Sequence, residues 1–293
     1  MTWRTVVVSS RSKVSYSMGY MVIRGEELRR VFLDEVHTVM VESTAVAMTA
    51  SWIDECMKRK IRIILCDPKR NPEGEFMPYH GSFDSSRRIR EQIQWTKESK
   101  DLIWQAIMKE KINKQAKLLR FFEKEKEAAL LESYISQVEP GDVTNREGFA
   151  AKVYFNALFG MDFTRREDNV KNGALNYGYA ILLSACNREA ASCGYLAQIG
   201  VFHDNLYNPF NLGSDLMEPF RPLIDREVLL MNPTKMEKKE KMRLVNVMNQ
   251  KVFINGRETS VNQAIGMYER SVFKAIEEGK PELIRFYSID YGK

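Results

Sequence analysis

The apolar residues of this chain change their period once, near residue 80, and no single regular layer can satisfy both patterns. Runs at 5–9, 13–24, 31–42 and 60–66 are short, rich in Val, Ile, Tyr and Thr, and partly alternating, as half-buried strands require. Gly19 and Arg24-Gly25-Glu26 supply turns, and Ala45, Met48, Trp52 and Met57 predict one helix over 44–59. Residues 69–86, rich in Pro, Gly and Ser, read as a linker. Beyond Arg87 the spacing becomes helical, through a long charged stretch over 87–137 and further helices at 145–159, 174–193, 215–230 and 260–278. Gly194 and Ser260 stand where a C′ residue and an N-cap belong, and Asn255-Gly256 centres a hairpin over 252–261. The pattern predicts an α+β protein: a β-rich N-terminal domain over 1–80, then an all-helical domain over 87–293.

Composition narrows the function classes. The 293 residues are 44% hydrophobic and 28% charged with a net charge of +5, which is compatible with phosphate backbones without demanding them. Four cysteines form no CxxC pair, so reduced thiols are expected. The first residues hold too short an apolar run for a signal peptide, and no stretch approaches the ~20 apolar residues of a membrane span. A soluble, cytoplasmic protein with no membrane association is predicted.

The chemistry concentrates between Gly200 and Asp225. His203, one of three histidines, is followed by Asp204, Asp215, Glu218 and Asp225 among Asn, Gly and Pro turn residues. Imidazole and carboxylates together can hold a divalent metal. Leu216, Phe220 and Leu223 share one helical stripe, leaving Glu218, Arg221 and Asp225 on a polar, accessible one. Pro219 and Pro222 withhold amide donors, which predicts a kink and free carbonyls at Asp215 and Glu218. The plainer reading is a capped surface helix with a Glu218–Arg221 ion pair. Glu147 shares the apolar face of its helix with Ala150, Ala151, Tyr154 and Leu158; it is either a first-turn residue answering Thr144 in a capping box or a carboxylate facing a metal. Asn176 enters an apolar helix beside Tyr177 and must be hydrogen-bonded there, structurally or to position a catalytic group.

Four segments then fall into a known order. Glu147 in an Arg-Glu-Gly context, Ala174-Leu-Asn-Tyr-Gly-Tyr-Ala, Gly200-Val-Phe-His203 and Asp215-Leu-Met-Glu218-Pro-Phe-Arg-Pro together resemble the CRISPR-associated integrase of the spacer-acquisition (adaptation) complex. Ser17-Met-Gly-Tyr-Met-Val-Ile-Arg-Gly points to the type II branch. The resemblance implies a DNA endonuclease and integrase with Mg²⁺ or Mn²⁺ on Glu147, His203 and Glu218, with Asp215, Asn176 and Tyr177 as auxiliary residues. Many members of that family carry Asp where this chain has Glu218, so the longer side chain must place the metal differently. The resemblance further implies homodimers clamped on a small ferredoxin-like companion as a heterohexamer, DNA as both fragment and repeat target, and association with an RNA-guided effector nuclease. A non-catalytic nucleic-acid-binding scaffold and a stand-alone repair nuclease are the alternatives.

Three expectations follow. The ligands should converge, and truncating one should relieve like-charge repulsion and so cost little stability. DNA should lie along some of Arg165, Arg166, Lys171, Arg221, Lys235, Lys238, Lys239, Lys241, Arg243 and Lys251. The N-terminal domain should pair subunits through strand edges and residues such as Tyr20, Met21 and Val22.

Overall fold

Thr49 ends the β-rich run by capping a helix: its side chain accepts from the Trp52 amide and starts α1 (Ala50–Lys58), shorter than the helix expected over 44–59. The residues just before it, Val46–Met48, are a strand instead, β6. The computed structural model describes residues 4–68, 70–76 and 84–291, in two compact units, Met1–Gly81 and Ser82–Lys293.

The first unit holds two four-stranded sheets. In one, β1 (Arg4–Val8), β5 (Val36–Val41) and β7 (Arg62–Cys66) pair in parallel, and β8 (Pro72–Glu75) closes the edge antiparallel to β7. The other runs in the order β4 (Leu28–Phe32), β3 (Tyr20–Arg24), β2 (Ser12–Ser17), β6, with only the β2–β6 pair parallel. Val8, Val36, Val39 and Val41 from one sheet, Val14, Met21 and Val31 from the other, and Trp52 and Cys56 from α1 share one core. Burial of such aliphatic and aromatic groups, at ~25 cal/mol per Å² of apolar surface, is the main stabilising term. It also corrects one expectation. Met21 and Val22 are core residues, so of the three side chains expected at an interface only Tyr20 is at the surface, against the exposed Phe32. Strand β8 likewise arises inside the stretch read as a linker; residues 69 and 77–83 of that stretch lie outside the described residues.

The second unit is helical, in agreement with the expected α+β class. The charged stretch over 87–137 divides into α2 (Ser85–Ile93), α3 (Lys97–Phe121) and α4 (Glu125–Ile135). After a turn at Pro140–Asp142 come α5 (Arg146–Phe159) and α6 (Val170–Ser192). The expected helix at 215–230 is split: α7 (Asn211–Leu216), a 3₁₀ turn (Glu218–Phe220) and α8 (Arg221–Met231). Then follow α9 (Lys238–Asn246), the hairpin β9 (Lys251–Ile254) and β10 (Arg257–Ser260), and α10 (Val261–Glu278). Asn255 and Gly256 both take positive φ, as a two-residue hairpin turn requires, and Ser260 caps α10 in a box with Gln263.

Two helices organise the unit. α3 packs on α4, α5, α8, α10 and the 3₁₀ turn, while α6 packs on α7, α8, α9 and α10. α6 is accordingly apolar on several faces rather than on one stripe. Gly178 lets α8 approach closely, since a Cβ there would sit 2.4 Å from Ile224. Among the described residues no helix is long and apolar enough to cross a membrane.

Candidate metal centre

Two glutamates from separate elements converge on one buried ammonium. Lys111, on α3, donates to Glu147 Oε1 at 2.6 Å and lies 2.5 Å from Glu218 Oε2. The first contact is a hydrogen bond. The second is a close ion pair to a buried oxygen, and the ammonium is the partner that lies against Glu218 Oε2. The other Glu218 oxygen takes Arg221 NH2 at 2.8 Å, so the ion pair of the plainer reading is present. It is not a surface pair, however: Glu218 is 4% exposed and Asp225 1%, against the accessible stripe expected for both.

The local structure explains how each carboxylate arrives. Asp142 sits at the end of the Pro140–Asp142 turn and accepts from the amides of Arg146 and Glu147, both at 2.9 Å. It caps α5 in place of Thr144, whose hydroxyl is turned to Gln137 O. Glu147 is thereby freed from capping and its side chain points to Lys111. Glu218 opens the 3₁₀ turn between α7 and α8. Its carbonyl is taken by the Arg221 amide rather than left free as expected. In that i→i+3 register the carbonyl of Pro219 faces Pro222, which has no N–H. The buried Tyr287 hydroxyl donates to it at 3.0 Å, and the Tyr287 ring stacks on Phe220 at 4.8 Å.

His203 reaches the neighbourhood through Asp215. This fully buried carboxylate accepts from the amides of Val201, Phe202 and His203 and from His203 Nδ1. Gly200 passes so near it that a Cβ would fall 2.7 Å from Asp215 Oδ2. With Nδ1 engaged, Nε2 is the nitrogen that remains for another ligand. The imidazole stands edge-on to Trp104 of α3, which stacks on Phe202 at 4.4 Å. α3 therefore carries both the ammonium between the glutamates and the aromatic wall behind the histidine.

Charge sets the protonation states. Burial alone would discharge Glu218, but Arg221, Lys111 and His203 hold its carboxyl below the usual carboxylate range. Burial pulls Lys111 down, and Glu218 and Glu147 outweigh it, so the ammonium is held above the ordinary lysine value. The hydrogen bond to Asp215, against burial, raises His203; burial raises Asp215 against the imidazole and amide donors.

Among the described residues, no group of three or more His, Cys, Asp and Glu side chains is closed up as a metal cage. The structure brings together Glu147 and Glu218, and couples His203 electrostatically to Glu218. Asn176 is exposed rather than in the core, its carbonyl oxygen held by Arg165 at 2.6 Å, while Tyr177 is buried. The basic residues divide. Arg166, Lys238 and Lys239 are exposed, and Lys171 is half-buried. Lys241 is buried beneath the Tyr177 ring, Arg165 holds Asn172 and Asn176, and Arg221, Lys235, Arg243 and Lys251 are ion-paired with Glu218, Glu237, Glu227 and Glu258. Sequence reasoning missed Lys111, Asp142 and Tyr287. The signal for Lys111 was its place on the buried face of α3 with Trp104, Ile107 and Met108, where a charge needs a partner.

Comparison with known proteins follows the same outline. The sequence model of the family described as CRISPR associated protein Cas1 matches residues 5–255. The CRISPR-associated endonuclease Cas1 of Neisseria meningitidis serogroup C (strain 8013) is 34% identical over 230 residues, 78% of this chain and 76% of that protein. Among solved structures, a casposase bound to integration product aligns at TM-score 0.76 with 18% identity, over 96% of this chain and 92% of its own. A Cas6-RT-Cas1–Cas2 complex aligns at TM-score 0.72 with 14% identity, over 96% of this chain and 36% of that one. At these identities the two structures speak for the fold.

Proposed function

The chain belongs to the Cas1 family of CRISPR-associated proteins, and on that premise we propose that it is a DNA integrase and endonuclease that inserts short fragments into a CRISPR array. Glu147, His203 and Glu218 hold the divalent metal in this reading. The observation that carries it is the convergence of two glutamates, from α5 and the 3₁₀ turn, on one buried cation position beside an imidazole fixed through Nδ1. The donor set fits Mg²⁺ or Mn²⁺: two hard carboxylates and one nitrogen, the latter better tolerated by Mn²⁺. Glu218 Oε2 and Glu147 Oε1, both already held against a cationic group, are the oxygens such an ion would take up. When bound, the ion supplies charge stabilisation to the attacked phosphodiester and its leaving oxygen.

The protein's own groups do the rest. Asp215 fixes the histidine tautomer and the path of residues 201–203, which leaves Nε2 as the nitrogen available to an ion. Glu218 is held ionised by Arg221 and Lys111, which keeps it a ligand rather than an acid. In the strand-transfer step the 3′-hydroxyl of the fragment attacks a repeat phosphorus in line. The new P–O bond forms as the bond to the repeat's 3′-oxygen breaks, and no protein–DNA bond is made. With water as nucleophile the same site cleaves DNA.

The proposed assembly is a dimer through the N-terminal unit, docked with a small companion protein on DNA, and able to associate with the RNA-guided effector nuclease. The Cas1–Cas2 content of the related complex supports the companion. The test is integration of a short duplex into a plasmid bearing the repeat array, with the companion present, for wild type and His203→Ala. Loss of product with DNA binding retained is expected. Wild-type protein that binds DNA yet neither cuts nor joins it would leave the scaffold reading.

A further inference from the structure

We propose that Lys111 is an exchangeable counter-ion, holding the Glu147 and Glu218 carboxylates in the metal-free protein and giving them up when a divalent cation binds. The inference rests on the metal-site reading above and concerns what the same carboxylates do without the ion. The Lys111 ammonium is 2.6 Å from Glu147 Oε1 and 2.5 Å from Glu218 Oε2, and its side chain is 7% exposed. An ion bound to those oxygens at roughly 2.0–2.6 Å would occupy the volume of Nζ itself. The two cannot share the place sterically, and their charges repel.

The charges of the cluster agree. Glu147 and Glu218 face Lys111 and Arg221, so among these four ion-paired groups two negative charges are already met by two positive ones. A divalent ion added with Lys111 in place would leave an excess of positive charge beneath the protein surface, and withdrawing the ammonium reduces it. Lys111 meets both carboxylates directly, Glu147 Oε1 at 2.6 Å and Glu218 Oε2 at 2.5 Å, so an incoming ion competes with the ammonium for both. The lysine stem is flexible enough to swing, whereas Glu218 is pinned by Arg221 and by the turn it opens. Lys111 thus keeps the two carboxylates together and folded in the absence of metal, at the expense of metal affinity. It is a positioning residue.

The test uses full-length Lys111→Met and Lys111→Arg, titrated with Mn²⁺ by calorimetry and melted with and without Mn²⁺. The expected result is a lower melting temperature for metal-free Lys111→Met, with Mn²⁺ binding tightened about fivefold or more, the scale of a typical coupling between two ligands. The gain in melting temperature on adding Mn²⁺ should be larger than in wild type, and Lys111→Arg should restore both wild-type behaviours. If Lys111→Met fails to fold, Lys111→Gln removes the charge while keeping a donor for Glu147 and takes the same measurements. A folded uncharged variant that binds Mn²⁺ no more tightly than wild type overturns the exchange and leaves the metal site standing. Absence of Mn²⁺ binding by wild type and every variant overturns the metal reading, and the exchange with it.

Discussion

Truncating Glu218 should destabilise the metal-free protein strongly, opposite to the expectation that removing one of several carboxylates relieves repulsion. Glu218 is 4% exposed, and its two oxygens face Lys111 and Arg221. Glu218→Ala leaves Lys111 with Glu147 alone and takes from Arg221 the only carboxylate it is ion-paired with among the described residues. Removing one partner of a buried pair costs about 3–5 kcal/mol because the other charge stays uncompensated. Arg221 is 29% exposed in its side chain, and solvent screening there moves the expectation to the lower end, about 3 kcal/mol. For a unit of this size that corresponds to a fall in melting temperature of roughly 6–12 °C. The assay is urea denaturation followed by circular dichroism, with chelator present, on wild type, Glu218→Ala, Lys111→Met and the double variant. The double variant should recover more than about 1 kcal/mol relative to the sum of the singles, the mark of residues in direct contact. Glu218→Ala at wild-type stability, or a strictly additive double variant, would refute the picture of a neutralised buried cluster.

Other outcomes follow from neighbouring contacts. Asp225 is buried and accepts from the Tyr154 and Tyr179 hydroxyls, and burial pushes its carboxyl up to about 6. A raised folded pKa stabilises fully below the ordinary carboxylate value and is lost as pH rises through 6, so Asp225→Asn should gain about 2 kcal/mol on wild type between pH 4.5 and 7.5 in urea melts; a pH-independent difference would contradict this. Tyr287→Phe should cost about 1–3 kcal/mol by leaving the Pro219 carbonyl unpaired, and should lower integration with DNA affinity unchanged, since that carbonyl adjoins Glu218; unaltered stability and rate would count against it. If Arg166, Lys171, Lys238 and Lys239 act through phosphates, affinity for duplex DNA should fall about linearly in log–log plots against salt, and neutralising two of them should reduce the slope by nearly two; an unchanged slope removes them from the contact surface.

What was legible in the sequence was local or ordered along the chain. The Asn255-Gly256 turn, the Ser260 cap and the stripe of Leu216, Phe220 and Leu223 each depend on residues a few positions apart, and each is realised. The change of period near residue 80 reported the two textures for the same reason. What failed required knowing which helices cover which faces. Glu218 and Asp225 read as solvent-facing because the expected helix has an apolar stripe opposite, yet the 3₁₀ turn carrying Glu218 packs on α3, and α8, carrying Asp225, packs on both α3 and α6. Their partners, Lys111, Tyr154 and Tyr179, come from distant segments and leave no trace in local spacing. Asn176 failed in the other direction: α6 is apolar enough to suggest a core position, but Arg165 holds that side chain at the surface.

Asp215 has a consequence for how this region can diversify. It clamps residues 201–203 from below, and Asn211 ties the far end by donating to the carbonyls of Gln198 and Asn205. The excursion from Asp204 to Phe210 is thus closed at its neck, with Leu206 and Tyr207 92% and 93% exposed at the tip. Length or composition can drift there, or a short peptide be grafted between Leu206 and Tyr207, while the imidazole stays where it is. The surroundings of His203 and the outward-facing tip are separate modules, one held by the Asp215 carboxylate and the other turned to solvent.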